Sequence, residues 1–151
     1  MRLNRIFRKE FFITLFIKQN KWHRYNVLRH TLMVVYYAIK AKEYKMITAG
    51  FLHDIGKPIL AFQRESDKLT GEYSFTNHEE IGYQLIKKVP FISDYTKRLV
   101  RHHFLLRGME SSKRKGHNGR YRRMRRKYDS LDSNFREDLK IFLEFDDRAK
   151  R

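Results

Sequence analysis

The sequence predicts an all-helical protein, and three observations carry that prediction. Apolar residues recur at spacings of three and four, strand-type alternation is scarce, and only two prolines and seven glycines punctuate the chain. Apolar residues make up 41% and aromatics 15%, enough to build a core although 34% of residues are charged. At 151 residues the chain is read as one domain, 1–151, a bundle of about six helices.

The first helix is expected from about Asn4 to Gln19. Its basic start and the apolar stretch Phe11 to Ile17 resemble a secretory leader. Thr14 interrupts that stretch, however, no small-residue cleavage site follows, and Lys18 to Arg24 is polar and basic. An interfacial anchor is a rival reading, since an aromatic face beside Arg and Lys suits a membrane surface. Nothing approaches the roughly 20 apolar residues of a membrane span, so a soluble, cytoplasmic protein is expected.

The second helix is predicted from about His23 to Lys40, burying Val27, Leu28, Thr31, Leu32, Val35 and Ile39. The third covers about Glu43 to Ile55, closed by a left-handed cap at Gly56 and kept from continuing by Pro58. Phe62 to Thr76 is polar, contains Gly71 and is read as a connecting loop. Asn77 is the expected N-cap of a helix carrying Ile81, Leu85 and Ile86, which stops before Pro90. Ser93 caps the next helix, to about Leu106. The last, about Ser133 to Arg148, carries Phe135, Leu139, Phe142, Leu143 and Phe145 at amphipathic spacing.

Between those last two helices the composition changes. From Arg107 to Lys127, ten of the 21 residues are Lys or Arg and Glu110 is the lone acid, which reads as a basic insertion or loop at about 107–128. As a solvated excursion it needs no partner. As a binding element it offers Arg120, Arg122, Arg123, Arg125 and Arg126 to phosphates, with Tyr121 and Tyr128 to stack on bases, and so nonspecific contact with nucleic acid. The whole chain is basic, with 34 Lys and Arg against 17 Asp and Glu and a formal charge of +17, a field that attracts phosphates, nucleic acid or anionic lipid.

There are no cysteines, which excludes disulfides, thiolate zinc sites and cysteine nucleophiles and leaves His, Asp and Glu as metal ligands. In Ala49-Gly50-Phe51-Leu52-His53-Asp54-Ile55-Gly56-Lys57-Pro58, a His-Asp pair follows an apolar turn. Burying an imidazole beside a carboxylate is costly without partners, and a divalent cation satisfies both at once. His30 lies on the preceding helix.

His30, then His53-Asp54 followed by Ile55-Gly56-Lys57, then a late Asp resembles the H…HD…D signature of the HD superfamily of metal-dependent phosphohydrolases, over about residues 22 to 149. Asn77-His78-Glu79-Glu80-Ile81-Gly82-Tyr83, Leu99-Val100-Arg101-His102-His103-Phe104 and Glu144-Phe145-Asp146-Asp147-Arg148 extend the likeness. These stretches look most like the HD domains attached to bacterial CCA-adding nucleotidyltransferases.

The resemblance implies that His30, His53, Asp54 and Asp146 hold one metal, with Asp147 the alternative to Asp146. Asp54 is then a catalytic ligand able to bridge to a second ion. His78, His102 and His103 would complete that second site or contact substrate phosphate. Lys57, three residues after Asp54, is a candidate phosphate contact or a cation favoured by the helix dipole. Arg101 is a further phosphate candidate.

One or two divalent ions of Mn, Fe, Co, Ni or Zn suit mixed His and carboxylate ligands. Such an ion acidifies bound water and screens phosphoryl oxygens. The expected reaction is hydrolysis of a nucleotide phosphate ester: a monophosphate, a 2′,3′-cyclic phosphate or a phosphodiester. The alternatives are a dNTP triphosphohydrolase, or a nucleic-acid-binding protein acting through 107–128 on a nucleic-acid end.

Overall fold

A computed structural model describes residues 25–60 and 75–150, together with Phe16, Lys68, Leu69 and Gly71. The helix expected from Asn4 to Gln19 and most of the Phe62 to Thr76 connection lie outside the described residues. The described elements are α1 (Val27–Lys40), a 3₁₀ turn (Tyr44–Met46), α2 (Ile47–Leu52), α3 (Lys57–Leu60), α4 (His78–Ile86), α5 (Asp94–His102), α6 (Leu105–Arg114), α7 (Asn118–Asp129) and α8 (Ser133–Arg148). The fold is all-α, and no strand occurs among the described residues. Among them, no helix is long and apolar enough to cross a membrane.

Three of the long helices start on side-chain caps. Asn26 Oδ1 accepts from the Arg29 amide at 2.8 Å, Ser93 Oγ from Thr96 at 3.2 Å, and Asp132 Oδ1 from Phe135 at 2.8 Å. Each satisfies an amide that the helix leaves unpaired, stabilising by about 1 kcal/mol. α8 begins and ends at the residues its amphipathic pattern predicts, and it buries Phe135, Leu139, Phe142 and Phe145 against α1 and α6. α1 packs on α2, α2 on α5, and α5 on α4, around a core that includes Val34, Ala38, Met46, Leu99 and Val100.

Several elements differ from expectation. α1 buries Val27, His30, Thr31, Val34, Val35 and Ala38, leaving Leu32 and Ile39 about half exposed at 49% each. The inward face is centred on a histidine, which an apolar tally passes over. The third helix is broken into the 3₁₀ turn and α2, and residues 53–56 form turns. Pro58 does not stop the chain; it is the second residue of α3, where its missing amide costs nothing.

Gly56 is not a left-handed cap: among the described glycines positive φ occurs at Gly71 and Gly116. Gly56 answers to space instead. A Cβ there would sit 2.1 Å from the His78 carbonyl oxygen and 2.9 Å from the Gly82 amide nitrogen. This close approach docks α4 against the turn that carries His53 and Asp54. Asn77 does not cap α4 through its side chain; it takes the left-handed conformation, φ 63°, that asparagine tolerates better than other side chains.

The basic segment is not a loop. Residues 105–114 and 118–129 are helical, joined by a turn in which Gly116 has φ 69°. Arg and Lys are good helix formers. Tyr121, Met124 and Tyr128 recur on one side of α7 as a half-buried stripe among the charges. Gly108 leaves room for that stripe, since a Cβ there would fall 2.2 Å from Met124 Cε.

Gly56→Ala puts a methyl group against backbone rather than a yielding side chain, and overpacking of this kind costs about 1–3 kcal/mol. At roughly 2–4 °C per kcal/mol for a chain of this length, calorimetry should show Tm lowered by about 5 °C. An unchanged Tm would contradict the α4 contact.

Candidate metal centre

Six elements deliver the candidate ligands to one place. His30 comes from the middle of α1, His53 and Asp54 from the turn after α2, and Lys57 from the start of α3. His78 is the first residue of α4, His103 follows α5, and Asp146 lies near the end of α8. His30, His53, Asp54, His78 and His103 are all buried.

The histidines form two facing pairs around Asp54. His30 Nε2 and His53 Nε2 are 3.3 Å apart, and His78 Nε2 and His103 Nε2 are 3.1 Å apart. Asp54 Oδ2 lies 3.6 Å from His30 Nε2 and 3.3 Å from His53 Nε2. Its other oxygen, Oδ1, lies 3.4 Å from His78 Nε2 and 3.9 Å from His103 Nε2. The result is two groups suited to a metal ion, His30 with His53 and Asp54, and Asp54 with His78 and His103. Asp54 belongs to both.

The opposite ring nitrogens show why the pairs face each other. His53 Nδ1 donates to the Gly50 carbonyl at 2.8 Å, His78 Nδ1 to Phe75 at 2.9 Å, and His103 Nδ1 to Val100 at 2.7 Å. Each carbonyl stands three residues before its histidine. His30 Nδ1 reaches the Ala149 carbonyl at 3.3 Å. A carbonyl can only accept, so Nδ1 carries the proton, and in a neutral ring Nε2 presents its lone pair.

Burial, followed by the nearby His78 and His53, holds the His103 pKa well below its usual value, and burial lowers that of His78 too. Two neutral rings therefore point lone pairs at each other across 3.1 Å beside a carboxylate. Asp54 Oδ2, also buried, makes no well-aligned hydrogen bond although Lys57 Nζ lies 2.7 Å away. Converging lone pairs and an orphaned carboxylate oxygen fit a divalent cation.

Other charges complete the electrostatics. For Asp54, burial works to raise the pKa, but His53 and Lys57 outweigh it and hold the carboxyl well below the usual range. Burial likewise works to lower that of His53, and the Asp54 charge raises it on balance. Asp146 Oδ1 meets His30 Nε2 at 2.9 Å, while its Oδ2 accepts from Arg107 at 3.0 Å and Lys150 at 2.9 Å. Asp147 faces Arg107 and Lys150 and is half exposed, so Asp146 is the carboxylate that meets the histidines.

Arg107 and Lys150 escaped the sequence reading. Lys150 is one helical turn beyond Asp146, a spacing that signals such a pair; nothing local points to Arg107. Glu79, also missed, has a buried Oε2 3.5 Å from His78 Nδ1.

The structure does not bring His102 into either group. Its ring lies edge-on to Phe135 at 6.1 Å, and burial, then Lys127, Arg101 and Arg98, push its pKa down to about 4. Consecutive helical residues point about 100° apart, so His103 turns inward and its neighbour does not. Arg101 is engaged with Glu80 at 2.9 Å and lies over the Tyr83 ring at 4.4 Å.

Fold and site together describe a helical protein built around a buried His and Asp cluster suited to divalent cations. The HD domain family model matches residues 27–134, and the chain belongs to that family, which is one of metal-dependent phosphohydrolases. The match takes in every candidate ligand from His30 to His103 and stops before Asp146, which the fold returns to His30. No curated protein and no solved structure matches the chain.

Because an ion that binds only the folded state stabilises it, saturating Mn²⁺ at about 100 Kd should add about 2.7 kcal/mol and raise Tm. Elemental analysis after loading should give two ions per chain, falling to one in His103→Gln and staying at two in His102→Gln. Equal loss in both variants would contradict the two groups described.

Proposed function

We propose that the protein hydrolyses a nucleotide phosphate ester, namely a monophosphate, a 2′,3′-cyclic phosphate or a phosphodiester, with water as nucleophile. The observation that carries this reading is the arrangement of two facing imidazole pairs with one oxygen of Asp54 turned toward each. His30, His53, Asp54 and Asp146 would hold one ion, and Asp54, His78 and His103 a second. Their mixed nitrogen and oxygen donors suit Mn, Fe, Co, Ni or Zn better than magnesium. When bound, such ions acidify water toward neutral pH and screen phosphoryl oxygens during in-line displacement.

The chain's own groups orient and shield. Backbone carbonyls fix the ring that each histidine presents, so no ligand must reorganise on loading. Phe142 packs edge-on to His53 at 5.6 Å and Phe104 edge-on to His78 at 5.5 Å, walling the cluster from bulk water. Lys57, whose Nζ lies 2.7 Å from Asp54, is the cation we assign to a phosphoryl oxygen of the substrate. Arg107 and Lys150 hold the outer oxygen of Asp146 and so keep its inner oxygen on His30.

The test is hydrolysis of bis-p-nitrophenyl phosphate and a panel of nucleotides with each of these cations, with product analysis. Asp54→Ala should lose at least about 100-fold in kcat/KM, since removing even an outer partner of a metal ligand costs 10- to 100-fold. Tripolyphosphate as product would replace the proposed ester with a triphosphate. Turnover that survives in Asp54→Ala, or no turnover with any cation, would sink the reading.

A further inference from the structure

A cavity of about 400 Å³ is lined among others by Asn77, Glu79, Arg101, Arg120, Arg123 and Lys127. Asn77 and Glu79 flank His78 in the chain, and Glu79 Oε2 lies 3.5 Å from His78 Nδ1, so the cavity reaches the group formed by Asp54, His78 and His103 from the side of His78. α7 supplies Arg120, Arg123, Met124 and Lys127 to the cavity wall.

Six basic residues lie on α7, and the helical turn divides them. At 100° per residue, Arg120, Arg123 and Lys127 fall within one narrow arc, while Arg122, Arg125 and Arg126 fall on the opposite side. The cavity is lined by the first three and by none of the second. Among the described residues no carboxylate forms an ion pair with Arg120, Arg123 or Lys127, whereas Arg125 is tied to Asp129 at 2.8 Å. Arg101 is neutralised by Glu80, and Glu79 turns a buried oxygen toward His78. What remains on the wall is a row of three cations, none in an ion pair among the described residues, spread over about 10 Å of helix. Among the described residues no aromatic ring lines the cavity, and the lining they supply favours charge.

We propose that Arg120, Arg123 and Lys127 form a second phosphate subsite, and that the substrate is a phosphodiester carrying a further phosphate beyond the one hydrolysed. The inference rests on the reading above, in which the hydrolysed phosphate meets the ions that would be held around Asp54. It narrows that reading, because a mononucleotide with one phosphate leaves the row unused. Guanidinium groups grip phosphate oxygens through paired hydrogen bonds, and a phosphate seated there keeps the chain in line with the metal centre.

The test uses the full chain loaded with Mn²⁺ and a dinucleotide joined by a hydrolysis-resistant phosphorothioate, with and without a 5′-phosphate. Calorimetry should show the 5′-phosphate tightening binding by roughly 10- to 100-fold, the yield of one or two charge-assisted contacts. The triple variant Arg120→Gln, Arg123→Gln, Lys127→Gln should cut that gain to under about threefold. Arg122→Gln, Arg125→Gln, Arg126→Gln, which strips the same formal charge from the far side of the helix, should keep it.

A wild type indifferent to the 5′-phosphate, or equal loss in both triple variants, overturns the subsite. The binding difference without hydrolysis of any ester keeps the subsite and removes the proposed reaction; hydrolysis without the difference removes the subsite alone.

Discussion

The burial of one carboxylate governs much of this structure. Asp54 is 2% exposed, and an isolated charge so placed would cost far more than the fold can supply. Its neighbours answer that cost from every side: two imidazoles toward each oxygen and the Lys57 ammonium at 2.7 Å. The backbone follows. α4 must come close enough to bring His78 to Asp54, and it does so where Gly56 and Gly82 let two backbones approach. α1 must turn His30 inward, which displaces Leu32 and Ile39 to the outside.

What was legible in the sequence was what short-range chemistry fixes. The His53-Asp54 pair stood out because a buried charge needs a partner, and α8 because its five apolar positions obey a single helical period. What was not legible depended on neighbours distant in the chain. No local rule separates His102 from His103, since only the packing of α5 decides which ring turns inward. Gly56 looked like a terminator, because the backbone that crowds it belongs to residues 78 and 82.

The misreading of α7 has a different cause. Its helical stripe consists of Tyr121, Met124 and Tyr128, three half-buried residues among six charges of one sign, and a scan for apolar periodicity weighs the charges more heavily. Yet those charges are themselves sorted by the helix. Composition located a basic segment, and only the helical turn divided it into a face toward the cavity and a face toward solvent.

Three of the four histidines in the cluster borrow their orientation from a carbonyl only three residues back, in Gly50 to His53, Phe75 to His78 and Val100 to His103. Each is a self-contained unit of four residues at the edge of a helix. The intervening sequence has to dock these units but need not aim their rings, so it is free to drift wherever volume and polarity are kept. Divergence can then erase pairwise likeness between whole chains while the sparse pattern of the units persists.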